Sequence, residues 1–183
     1  MPKIILGLVG KMSCGKSTAT AYLKNKYGAV TFKFSDSLRD ISDRMHIEQN
    51  RANLQLLSTL LRQNFGEDLL SKVIAEDVRN ADAQIIITEG IRRPSDIVYL
   101  QSVPGFKLIA VKADERIRFE RLTERSENAD DKNKTWEQFQ KDEQQEAELQ
   151  IKAVMDKADF VLDNNGSAED LHAQIDTLMA KLQ

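Results

Sequence analysis

One octapeptide constrains this chain more than any other stretch. Gly10-Lys11-Met12-Ser13-Cys14-Gly15-Lys16-Ser17 follows the apolar run KIILGLV (3–9) and leads into the polar-apolar series TATAYL. It fits the spacing G-x-x-x-x-G-K-[ST], a pattern that works as a loop between a strand and a helix. Gly10 and Gly15 let the backbone turn tightly and bring its N–H groups toward phosphate oxygens. A helix opening at Lys16 aims the positive end of its dipole at the same place. Lys16 is spaced to reach the β- and γ-phosphates of a nucleoside triphosphate, and the Ser17 hydroxyl to ligate Mg2+. Thr18 is a further polar candidate near the α-phosphate. Met12, Ser13 and Cys14 fill the interior of the loop, Cys14 as a small residue tolerated there.

A strand–loop–helix start predicts an α/β fold, and the rest of the chain agrees. Five short apolar runs read as buried parallel strands: 3–9, AVTFKF (29–34), QIIIT (84–88), KLIAVKA (107–113) and DFVLD (159–163). Helical stretches separate them. The first runs from Lys16 to a cap at Gly28, and Ser35 is placed to cap a second. A third spans Arg51 to Phe65 with Leu54, Leu57 and Leu61 on one face, and a fourth about Asp68 to Asn80. The spacing predicts a helix over 114–125 and one long helix over 136–156, opened by a Thr135–Gln138 capping box. A last helix follows Ser167.

With 183 residues and no linker or repeat, the sequence reads as one domain, 1–183. A net charge of −3 advertises no bulk basic surface for nucleic acid or membrane. A single cysteine rules out an internal disulfide and a cysteine-rich zinc site. His46 and His172 stand without metal-ligand spacing. The apolar start is too short to span a membrane and no leader is visible, so the expected setting is the cytoplasm.

Carboxylates at strand ends are the next candidates, because ligands of open α/β sheets sit at the carboxyl ends of the strands. Glu89, in IIITEG, is placed to hold Mg2+ directly or through water. Asp36, in FKFSDS, is placed to bind an acceptor, act as a base, ligate the metal, or simply begin a helix. Phosphoryl transfer also needs cations around the migrating group. Arg118, Arg121 and Arg125 share one helix face before the polar stretch SENADDKNK, an arrangement that suits a lid; salt bridges to Glu115, Glu120 and Glu124 are the plainer reading. Arg92 lies three residues beyond the third strand. Arg51, Gln55, Ser58 and Arg62 form a polar stripe that lines an acceptor pocket or faces water.

Taken together these residues resemble the P-loop nucleotide kinases. SDSLRD (35–40), RANLQLLSTLLRQNFGEDLL (51–70) and ITEGIRRPSDI (87–97) are similar to deoxynucleoside monophosphate kinases of the phage type. Glu89, or Gly90 with the register shifted by one, then Arg92, Pro94 and Asp96 fall on that family's D-x-R-x-P-x-E-like segment. The second half, RFERLTER through ADFVLDNNGSAEDLHAQI, is similar to dephospho-coenzyme A kinases and their archaeal relatives. There Asn164, Asn165 and Gly166 match a turn near the adenine, and Arg121 and Arg125 match lid-helix arginines. The D-A-D stretch of those kinases is absent; Asp36 stands alone in its place.

Both resemblances imply a P-loop NTPase three-layer fold: a parallel five-stranded sheet of order 2-3-1-4-5, an acceptor-binding helical region (about 35–80) and a small helical lid (about 116–140). They imply ATP and Mg2+ as cofactors and a small nucleotide as acceptor. Lys16, Arg92, Arg121 and Arg125 would neutralise charge, Ser17 and Glu89 hold the metal, and Asp36, Arg39, Arg62 and Arg92 face the acceptor. A guanine-reading N-K-x-D and a transporter-type L-S-G-G-Q are both absent from the sequence. Three functions remain: a (deoxy)nucleoside monophosphate kinase, a dephospho-coenzyme A kinase with Asp36 as base, and a non-catalytic ATP-binding regulator.

Overall fold

The computed structural model describes residues 3–124, 134–144 and 146–183. These hold a five-stranded parallel sheet of order β2-β3-β1-β4-β5, the order implied by the resemblance. The strands are β1 (Ile4–Val9), β2 (Val30–Lys33), β3 (Ile85–Glu89), β4 (Phe106–Lys112) and β5 (Phe160–Asp163). β1 lies at the centre, paired with β3 on one side and β4 on the other. Its six residues are all buried, which is why its sequence is continuously apolar rather than alternating.

Helices cover both faces. On one, α1 (Lys16–Tyr27) and α8 (Ala168–Leu182) pack Ala19, Leu23, Leu171 and Ile175 against Leu6, Leu8 and Ile109 of the sheet. On the other, α4 (Leu69–Asn80) and α7 (Glu146–Met155) pack Ile74, Val78, Ile151 and Val154 against Ile5, Val9 and Leu108. α2 (Asp36–Arg44) and α3 (Arg51–Phe65) rise at the β2 end, where Leu54, Leu57 and Leu61 turn toward the core. After β3 come two 3-10 turns, Pro94–Ile97 and Leu100–Ser102; α5 (Glu115–Glu124) follows β4 and α6 (Trp136–Glu143) precedes α7.

The long helix expected over 136–156 is two helices. Gln144 ends α6 with its N–H bonded back to Asp142 and Lys141. The two halves serve different partners: Phe139 packs on Phe119 of α5, whereas Ile151, Val154 and Met155 enter the main core. The Thr135–Gln138 capping box opens α6, and Gly28 closes α1 in the left-handed conformation. Ser35 precedes α2 but its side chain caps nothing; the Asp36 carboxylate accepts the Lys33 N–H instead, at 2.8 Å.

α1 and α8 are also tied by a polar knot. Asp176 accepts hydrogen bonds from Lys26 (2.7 Å), Tyr27 (2.7 Å) and Tyr22 (2.9 Å). The Lys26 bond first, then that of Tyr27, holds the Asp176 carboxyl down from the usual 3.8 to about 2. A carboxyl depressed in the folded state contributes stability above its unfolded pKa and loses it as pH falls through the folded one. Stability is therefore expected to fall between about pH 3.8 and 2, and Asp176→Asn to flatten that part of a pH series of denaturant unfolding curves.

Candidate active site

The loop Gly10–Ser17 sits at the carboxyl end of β1, between the two faces of the sheet. Gly15 precedes α1 at φ 101°, left-handed, and offers no side chain to cap the helix. The first-turn N–H groups of α1 thus keep an open side toward the loop. A Cβ on Gly15 would overlap the Asn164 amide. That amide, buried beneath the loop, donates to the Cys14 carbonyl at 2.9 Å. Ser13 is held at φ 58°, unusual for a residue with a side chain, and its buried Oγ has no hydrogen-bond partner among the described residues. The Lys16 side chain curls over the loop, donating to the carbonyls of Gly10 at 2.6 Å and Lys11 at 2.9 Å.

Beyond the loop, a cleft of about 360 Å3 runs between α1 and β2. Ser17, Thr20, Thr31, Lys33 and Glu89 line it. Glu89 ends β3, and its Oε1 accepts from Thr20 Oγ1 at 2.7 Å, so α1 fixes the orientation of this carboxylate. Its other oxygen faces Lys33 Nζ at 3.8 Å. The structure thus brings together Ser17 and Glu89, which are 72 residues apart in sequence, and adds Thr20 and Lys33, which the sequence alone did not single out.

A second group forms around the β5–α8 turn. Arg121 donates to the Asn164 carbonyl at 2.8 Å and to the Gly166 carbonyl at 3.4 Å. Asn165 accepts from the Asp114 N–H at 2.7 Å. Arg121, Asn165 and Gly166 therefore lie side by side, joined to the loop through Asn164. Thr18 is exposed on the first turn of α1. Met12 gives its carbonyl to Arg118 Nη1 at 3.4 Å, and Cys14 is buried with its Sγ 3.6 Å from Lys16 Nζ.

Other candidates lie elsewhere. Arg62, expected to face an acceptor, is turned inward and 6% exposed. It pairs with buried Asp96 at 2.7 Å and also donates to the Glu67 carbonyl. The spacing of Arg51, Gln55, Ser58 and Arg62 fits a polar face that lines a pocket or meets water; at Arg62 the turn after β3 folds against α3 and supplies Asp96 as a counterion. Asp96 also accepts the N–H groups of Arg92 and Arg93, at 2.8 and 2.9 Å. Arg92 itself projects exposed from that turn. Arg39 is exposed and donates to Gln49 at 2.9 Å. Arg125 lies outside the described residues, as does 125–133 of the expected lid.

A nucleotide-binding loop at the end of the central strand, in a sheet of this order, defines a P-loop kinase-like protein. Comparisons with known proteins agree. Residues 9–140 match a family model described as an AAA domain. The UPF0200 protein of Methanocaldococcus jannaschii is 30% identical over 183 residues, 98% of this chain and 90% of that protein. That of Hyperthermus butylicus is 27% identical, covering 98% and 95%. The chain belongs to the AAA-domain family of the matching model and to the UPF0200 family of these relatives. Among solved structures, TT1252 from Thermus thermophilus has a TM-score of 0.66 at 19% identity and covers 100% of both chains. A shikimate kinase from Bacteroides thetaiotaomicron has a TM-score of 0.62 at 14% identity, covering 97% and 98%. At those identities the likeness is one of fold.

Proposed function

We propose that the chain is an ATP- and Mg2+-dependent kinase that phosphorylates a small nucleotide acceptor, a (deoxy)nucleoside monophosphate, to the diphosphate. One observation carries the reading: Ser17, one residue past Lys16, and Glu89, fixed by Thr20, line one cleft at the mouth of the phosphate loop. Two protein oxygens there suit Mg2+, which keeps most of its shell for phosphate and water. The orphaned Ser13 Oγ beside the strained loop backbone suits a ligand oxygen as partner. Mg2+ held by Ser17 and Glu89 would supply positive charge against the charge that develops on the transferred phosphate.

Lys16 would lie along the β- and γ-phosphates, and Arg121 with Asn165 and Gly166 would border the nucleotide. Of the arginines named for the acceptor, Arg92 and Arg39 are exposed and would face it. The region 35–80 would receive it, and 116–140 would form the lid. An acceptor phosphate is already ionised at neutral pH, so positioning and cations would supply most of the rate. Among the described residues no helix is long and apolar enough to cross a membrane.

A second reading has a hydroxyl as acceptor, as in a dephospho-coenzyme A kinase. It is favoured by Asp36 at the end of β2 and by the company of shikimate and sugar kinases among proteins of like fold. Asp36→Asn separates the two. With a phosphate acceptor, turnover should fall less than about tenfold and acceptor KM should rise; with a hydroxyl acceptor, loss of the base should cost about 10²–10⁴ in kcat with acceptor binding kept. The primary test is ADP release from Mg-ATP across nucleoside monophosphates, deoxynucleotides and dephospho-coenzyme A. Turnover on a monophosphate is expected. Tight ATP binding with silence on every acceptor would instead support the regulator.

A further inference from the structure

A side chain from far along the chain closes the outer wall of the phosphate loop. The Glu143 carboxylate, at the end of α6 and 10% exposed, takes both ends of the Arg118 guanidinium, each at 2.8 Å. The Lys11 ammonium donates to the same carboxylate. Arg118 is 4% exposed and reaches the loop at the Met12 carbonyl, 3.4 Å, and the end of β4 at the Ala113 carbonyl, 3.1 Å. The Lys11 carbonyl is one of the two that receive Lys16 Nζ. Burial pushes the Glu143 carboxyl up, but the hydrogen bonds from Arg118 and Lys11 outweigh it and hold it below the ordinary range. It stands as an anion between two cations.

This contact is not needed to dock α6. Phe119 of α5 already packs on Trp136 and Phe139 of α6, with ring centroids 5.2 and 5.5 Å apart. A buried ion pair is a weak way to stabilise such a junction compared with apolar packing. What it supplies is direction and charge: Lys11 and Arg118 are both held at the loop, and with Glu143 the three groups carry one net positive charge. We propose that Glu143 is a positioning residue for the terminal phosphate of the nucleotide, fixing Lys11 and Arg118 and, through Lys11, the carbonyl on which Lys16 rests. The inference rests on the nucleotide-kinase reading above. It gives α6, at the end of the lid region, a direct hold on the phosphate loop.

The test compares Mg-ATP and Mg-ADP affinities by calorimetry at fixed salt in the wild type, Glu143→Gln and Trp136→Leu. Trp136→Leu should lower Tm and leave the ATP-to-ADP preference within about twofold, because it loosens packing on Phe119 and Arg116 and leaves Glu143, Arg118 and Lys11 in place. Glu143→Gln, measured well below its Tm, should lower that preference about tenfold, the scale of one charge-assisted hydrogen bond. Glu143→Asp keeps the charge, is too short to hold both cations, and should show the same direction if Glu143→Gln does not fold. An unchanged preference in both Glu143 variants, with Tm alone lowered, would overturn the proposal and leave the kinase reading standing. A wild type that binds neither nucleotide would sink both.

Discussion

Lys16→Ala is expected to keep its fold and lose phosphoryl transfer by about 10²–10³-fold, the scale of removing one fixed donor from developing charge. Among the described residues the side chain's hydrogen bonds go to its own loop, at the Gly10 and Lys11 carbonyls and the Cys14 sulfur. Gly10 and Cys14 are buried, yet Lys16 itself is only half-buried, so water can follow the shortened side chain to the freed carbonyls. Far-UV circular dichroism and Tm should match the wild type within a few degrees. ADP release in the presence of the acceptor found for the wild type is the decisive readout. Unimpaired turnover with normal folding would remove the loop from the chemistry and with it the proposed function.

The largest loss of stability is expected from Arg62→Leu, about 3–5 kcal/mol, because it strands a buried carboxylate. Asp96 is 1% exposed and balances Arg62 while holding the N–H groups of Arg92 and Arg93. Without its counterion it must take up a proton or drag water into the α3 junction. At this chain length such a loss corresponds to a drop of roughly 6–20 °C in Tm. The double variant Arg62→Leu with Asp96→Leu should recover part of it, since replacing both partners removes the buried charge. Recovery will be incomplete, because two backbone N–H groups lose their acceptor. Denaturant unfolding of the four proteins of this cycle gives the coupling directly. An Arg62→Leu variant as stable as the wild type, with weaker acceptor binding, would return Arg62 to the acceptor role read from its place on α3.

The two expectations differ in how far sequence could carry them. The Lys16 argument needs eight consecutive residues, and the physics is local: two glycines, a helix start and a short reach for the lysine. The same locality made the strands, the Gly28 cap and the Thr135–Gln138 box legible, since each rests on neighbours within a few positions. The Arg62 pair is different. Asp96 is 34 residues away, and a charged residue at helical spacing reads equally as a solvated face or a buried pair. Only the turn packed on α3 decides between them.

Glu143 shows the same limit. It lies in a run of charged and amide residues, KDEQQE, whose pattern predicts a solvent face and one continuous helix. Its partners Arg118 and Lys11 are 25 and 132 residues away, and Asn164 meets the Cys14 carbonyl from 150 residues away. Nothing within a helical turn of any of them records these meetings. The amino-acid sequence alone determined the phosphate loop, the strand–helix alternation and most helix ends, because turn geometry, capping and period are set by adjacent residues. The tertiary structure decided which charges are buried, which carboxylate stands at the loop and which cations stay exposed, because those follow from how parallel crossovers stack distant segments at one end of the sheet.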